Sequence, residues 1–131
     1  MAESQPRLGY VQWMDLTVPD ADRLPTFYEK VAGWAATPLS MGEYEDFCMS
    51  PAGDPQKTVA GICHARGENT DLPAQWLIYI TVASLSDSAA QCERLGGRIL
   101  AGPRQMGGQG MVVVVQDPAG AVAALFEPNR P

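Results

Sequence analysis

Asp15, in the stretch YVQWMDLTV (residues 10–18), is the carboxylate best placed to do chemistry. It stands two positions after Trp13, and residues two apart on an extended strand share a face. A carboxylate beside an indole on an inward face is desolvated, which raises its pKa and suits a general base or a partner for a cation. The same residue type also serves structure, by capping a backbone N–H or pairing with an arginine.

The other chemical groups are few. The chain holds one histidine, His64, so a two-histidine, one-carboxylate metal site cannot be assembled from it. There is no GxSxG elbow to present a serine nucleophile. His64 alternates with Ile62 on a strand pattern, on the face opposite Gly61, and is expected at a rim or on the surface. The acidic stretch MGEYEDF (residues 41–47) sets Glu43, Glu45 and Asp46 around Tyr44; it reads as a solvated hairpin or as the mouth of a binding cavity. MGGQG (residues 106–110) lacks the lysine and the strand-before, helix-after context of a phosphate loop, so it is a flexible hairpin or lid.

Composition narrows the function further. A chain of 131 residues is the size of one domain. Its formal net charge of −6, with nine scattered basic residues, argues against a nucleic-acid partner. That charge serves solubility, and it would also attract cationic small molecules. The longest apolar runs, WLIYITVA and MVVVV, are of strand length, so no membrane span is expected. The first ten residues show no apolar signal region, and Cys48, Cys63 and Cys92 have no CxxC spacing. A cytoplasmic protein with reduced thiols is the expectation.

The elements that position these groups occur twice. A shift of 64 positions lays LTVPD (residues 16–20) on ITVAS (residues 80–84) and EKVAG (residues 29–33) on ERLGG (residues 93–97). Each half reads as a strand, a cap, a helix and a glycine stop. Leu24, Phe27, Tyr28 and Val31 form the apolar stripe of the first helix, and Leu85, Ala89, Cys92 and Leu95 that of the second. Three strand candidates follow each helix, at 34–39, 43–49 and 57–64 and again at 98–101, 110–116 and 121–127. The fold class is therefore α+β: two tandem βαβββ modules, at about 9–66 and 74–128, forming a curved mixed sheet with helices outside. By the same repeat, Tyr79 is the counterpart of Asp15, able to approach it from the other half.

From about Tyr10 to Pro128, the ordered pieces WMDLTVPD, FYEKVAGW, VAGI, WLIYITV, LGGRIL and DPAGAVAAL resemble the glyoxalase, bleomycin-resistance protein and extradiol dioxygenase superfamily, the vicinal oxygen chelate proteins. The pieces around Trp13, Asp15 and DPAGAVAAL look most like its glyoxalase-like branch that carries a hydroxylase label. The resemblance implies metal ligands at four equivalent places. These fall here on Trp13, Leu77, Gly61 and Ala124, none of which offers a lone pair to a cation. No metal is expected at that site, and no cofactor is implied.

Small residues at Gly61 and Ala124 leave room at the centre of the sheet. Either that room is a ligand cleft, with Trp13, Tyr79 and Phe126 as walls and Asp15, Tyr44, Gly61, Leu77 and Ala124 around it, or Trp13 fills it. The first expected function is sequestration of a small organic molecule, resistance-type, the molecule being aromatic and cationic to suit the rings and Asp15. The alternative is a metal-independent glyoxalase-like or hydroxylase-like enzyme with Asp15 as catalytic base. A metal-dependent lyase or dioxygenase ranks third because its ligands are missing. A homodimer is expected, since half-barrel sheets of this kind leave strand edges to cover.

Overall fold

The computed structural model describes residues 7–129. The elements run β1 (Val11–Val18), α1 (Leu24–Ala32), β2 (Trp34–Ser40), β3 (Glu45–Pro51), β4 (Ala60–His64), β5 (Trp76–Thr81), α2 (Leu85–Arg94), β6 (Arg98–Met106), β7 (Gly110–Gln116) and β8 (Val122–Pro128). This is βαβββ stated twice, the α+β arrangement that the repeat predicts. Two compact units result: Trp13–Trp76, and the residues from Leu77 onward together with those up to Gln12.

In the first unit the strands lie in the order β2-β3-β4-β1, with β1 parallel to β4 and the other pairs antiparallel. Asp15 stands opposite Gly61, and Val18 opposite His64. The face that carries Leu16, Val18, Met49, Ala60 and Ile62 is the core, and α1 covers it through Leu24 and Tyr28. Helix α1 starts where Pro25 costs nothing, because the first-turn N–H groups have no partner inside the helix. It stops at Gly33, whose φ of 73° closes the end in the left-handed region. The predicted stripe is only half used: Phe27 and Val31 are 52% and 66% exposed. Pro25 is the buried residue of the helix, with Leu24 and Tyr28 beside it on the core, so the face turned to the sheet lies to one side of Phe27 and Val31. An aromatic cluster closes the far side, where Trp76 Nε1 donates to Tyr28 Oη at 3.0 Å and Trp34 packs on both rings.

In the second unit the order is β5-β8-β7-β6, with β5 parallel to β8. Val113 and Val115 meet Leu85 and Cys92 of α2, and Leu125 packs against them. Val112 and Val114 alternate to the opposite face and are buried too, which accounts for the unbroken MVVVV run. Of the two serines the sequence offers as the cap of α2, Ser84 and Ser86, it is the Ser84 side chain that accepts from the Asp87 N–H at 3.2 Å. Glu127 of β8 adds a second, Oε1 accepting from the Leu85 N–H at 2.7 Å. Strand β6 runs on to Met106, beyond the expected 101, through register shifts beside Gly102, whose φ is 85°. Residues before β1 join this unit: the Gly9 N–H donates to the Thr81 carbonyl, and the Thr81 N–H to that of Tyr10.

Candidate functional site

Strand β1 enters the first unit at Trp13 and buries every residue from Asp15 to Val18. Leu16 and Val18 point to the α1 face, so Trp13, Asp15 and Thr17 point to the other. Asp15 is 6% exposed, and Trp13 Nε1 donates to its Oδ2 at 3.2 Å. Gly61, across the β1–β4 pair, completes the group: a Cβ there would lie 3.1 Å from Trp13 Cζ2 and 3.4 Å from Asp15 Cβ. The indole therefore seats on the glycine. Sequence reasoning placed these three residues together, and the first unit brings them together.

The second unit repeats the arrangement with other chemistry. Tyr79 stands opposite Ala124, as Asp15 does opposite Gly61. Leu77, Tyr79 and Ala124 are all buried, at 1%, 6% and 0% exposure. Phe126, two residues further on that face, packs over Gly110, where a Cβ would meet its ring at 2.9 Å. These four predicted residues thus share one face of this unit.

The metal positions implied by the family can be tested on these observations. In the first unit an indole and a glycine occupy two of them, and the indole ring covers the glycine. In the second a leucine and an alanine occupy the others, both buried. None of the four side chains carries a lone pair for a divalent cation, so the residues present do not fit the metal. Among the described residues no cluster of three histidine, cysteine or carboxylate side chains forms a metal centre.

Tyr44 belongs to a different group. Its ring packs edge-on against His64, with centroids 5.3 Å apart, and the Arg66 guanidinium lies over it at 4.0 Å. His64, expected at the rim, is 13% exposed in its side chain and is held by Asp46. Asp46 Oδ1 accepts the His64 backbone N–H at 2.9 Å and lies 3.2 Å from its Nδ1. The cause is local: the β3–β4 ladder ends at Phe47 opposite Ile62, and the next carboxylate takes over as acceptor. Asp46 is accordingly buried, not part of a solvated hairpin. Asp22, on the 3-10 turn Ala21–Arg23 that follows β1, brings Oδ1 to 3.5 Å from His64 Nε2. Sequence reasoning missed this constellation, because its carboxylates lie 18 and 42 residues from the histidine and no spacing links them. The single histidine was the signal available.

The sequence profile of the family described as Glyoxalase-like domain matches residues 13–126, so the chain belongs to the glyoxalase-like family. It is 26% identical over 120 residues to the "Putative glyoxylase CFP32" of Mycobacterium tuberculosis, covering 92% of this chain and 44% of that protein. It is 29% identical to the anthracycline biosynthesis protein DnrV of Streptomyces peucetius, covering 90% and 46% respectively. The chain thus spans less than half the length of these curated relatives. Among solved structures, methylmalonyl-CoA epimerase from M. tuberculosis superposes with a TM-score of 0.54 at 14% identity, over 90% of this chain and 87% of that one. The Mn(II)-bound glyoxalase from Novosphingobium aromaticivorans gives 0.56 at 19%, over 94% and 40%. At such identities the likeness is one of fold.

Proposed function

We propose that this glyoxalase-like chain binds a small organic molecule and sequesters it, without a metal at the family's position. The observation that carries the reading is the buried Asp15 carboxylate under a partly exposed indole, next to a glycine. An aromatic ligand with a cationic group suits that trio: the indole offers a π face worth about 0.5–2 kcal/mol to a cation, and the carboxylate offers the counter-charge. Tyr79, Ala124 and Phe126 form the corresponding face of the second unit. The net charge of −6 favours encounter with such a ligand at low salt. The three cysteines are free thiols, which suits a reducing, cytoplasmic setting.

The DnrV relative is named for anthracycline biosynthesis, which makes an amino-sugar anthracycline and its N-acetyl derivative an apt probe pair. The cationic form should bind at one equivalent per chain, and Asp15→Asn should weaken it far more than the neutral form. Equal losses for both, or no binding by either, would remove Asp15 from ligand recognition.

A second reading has its own support. Relatives named as a glyoxylase and as a biosynthetic protein favour turnover, with Asp15 as the base in a metal-independent reaction. Depletion of a probe well beyond one equivalent, abolished in Asp15→Asn, would establish the enzyme over the sequestering protein. A metal-dependent lyase or dioxygenase is disfavoured by the four apolar residues at the family's ligand positions. We further propose a homodimer, because β2 and β6 each pair on one side only and need cover. Light scattering after size exclusion should give twice the mass of one chain, and a monomer at micromolar concentration would overturn it.

A further inference from the structure

His64 lies between two carboxylates, and the two contacts differ in kind. Asp46 Oδ1 is 3.2 Å from Nδ1 and also binds the backbone N–H of the same residue, so it grips the ring and its strand together. An ionised carboxylate only accepts, so Nδ1 carries the proton in that contact. In the neutral ring this leaves a lone pair on Nε2, and Nε2 faces Asp22 Oδ1 at 3.5 Å. Two acceptors turned toward each other at the solvent edge leave a place that a cation can fill. That cation is either a second proton on the ring or a metal ion.

We propose that His64 Nε2 and the Asp22 carboxylate form a binding site for a divalent transition-metal ion such as zinc, with Asp46 as the group that orients the imidazole. The separation fits. Metal–nitrogen and metal–oxygen bonds of about 2.0–2.2 Å at a tetrahedral angle put two ligands roughly 3.3–3.5 Å apart. A carboxylate on the far ring nitrogen is the usual support for a metal-bound histidine, because it sets the tautomer and raises the basicity of the ligating nitrogen. Asp22 is 72% exposed in its side chain, so the ion can enter from solvent, and water completes its shell.

The surrounding charges leave the pair available. Arg23, on the same turn, pairs with Asp20 at 3.3 Å. Arg66 lies over the Tyr44 ring, and that ring packs against the imidazole and limits its rotation. One nitrogen and one carboxylate favour borderline ions such as zinc, cobalt(II) or nickel(II) over magnesium or calcium, which prefer all-oxygen shells. The site is separate from the family's metal position, whose place on β4 is Gly61, three residues earlier. Binding makes bonds to Nε2 and a carboxylate oxygen and releases only the Nε2 proton where the ring holds one.

Because His64 is the sole histidine, its ring resonances report on the site alone in an untagged chain. Zinc chloride should shift them saturably, and magnesium chloride at equal concentration should not. Asp22→Asn should remove most of the affinity, and Asp46→Asn should weaken it on the order of 10–100-fold. Asp87→Asn on α2 should change nothing. Apparent affinity should rise with pH, as it must where a proton and a metal compete for one nitrogen. Far-ultraviolet circular dichroism checks that each variant is folded. No zinc-dependent shift at His64, or an equal shift in Asp22→Asn, would overturn the site and leave the contact as one bridged by a proton.

Discussion

Trp13 donates its indole N–H to Asp15, two residues along the same strand, across 3.2 Å. The bond ties the indole seated on Gly61 to the buried acid of the same strand. Trp13→Phe keeps an aromatic ring over Gly61 but removes the donor. Asp15, 6% exposed, then loses one hydrogen-bond partner, and hydrogen bonds to charged groups are worth about 1.5–3 kcal/mol. Urea unfolding of Trp13→Phe should show a loss in that range with an unchanged slope. A stability equal to the parent's would mean that the bond contributes nothing net.

Gly61 is where that ring seats, and its side-chain-free surface is what lets the indole lie flat. A Cβ at 3.1 Å from Trp13 Cζ2 requires only a small shift of the ring, so Gly61→Ala should be tolerated. Gly61→Val adds two methyls where none fit, and overpacking of this sort costs about 1–3 kcal/mol. Thermal unfolding should therefore separate the two variants. If valine were as stable as alanine, the ring would not be seated on that glycine.

The start of α2 depends on acceptors from two places. Ser84→Ala removes a cap worth about 0.5–2 kcal/mol. Glu127→Ala strips the acceptor from the buried Leu85 N–H and should cost about 1–3 kcal/mol. Glu127→Gln keeps an oxygen there and should cost less. Ranking the three by chemical denaturation tests the assignment, and a glutamine variant as damaged as the alanine one would contradict it.

On α1 two adjacent aromatics should respond in opposite ways. Phe27 is 52% exposed, so Phe27→Ser should stay within about 0.5 kcal/mol of the parent, as exposed substitutions usually do. Tyr28→Phe deletes the acceptor for Trp76 Nε1, a hydrogen bond worth about 0.5–1.5 kcal/mol. Melting curves of the pair should show a clear loss only for Tyr28→Phe.

Much of this protein was legible in one dimension. Pro25, Gly33 and Ser84 are local signals, each acting through the backbone of its own segment to set a helix end, and the 64-residue repeat gives the βαβββ order. The shift of 64 also aligned Asp15 with Tyr79, a shift of 63 aligned Gly61 with Ala124, and strand alternation alone puts Trp13 and Asp15 on one face. What only tertiary structure decided was how far each stripe would be used and which distant groups would meet. Phe27 and Val31 fit a helical stripe yet remain exposed, because the helix docks through Leu24, Pro25 and Tyr28 and its rotation about its axis is set by the sheet it meets. Asp46 and His64 meet because the β3–β4 ladder stops at Phe47 and Ile62, just short of them, and Asp22 joins them because the turn after β1 lies beside the end of β4. A carboxylate's partner is set by distance in space, and a single sequence carries no term for that.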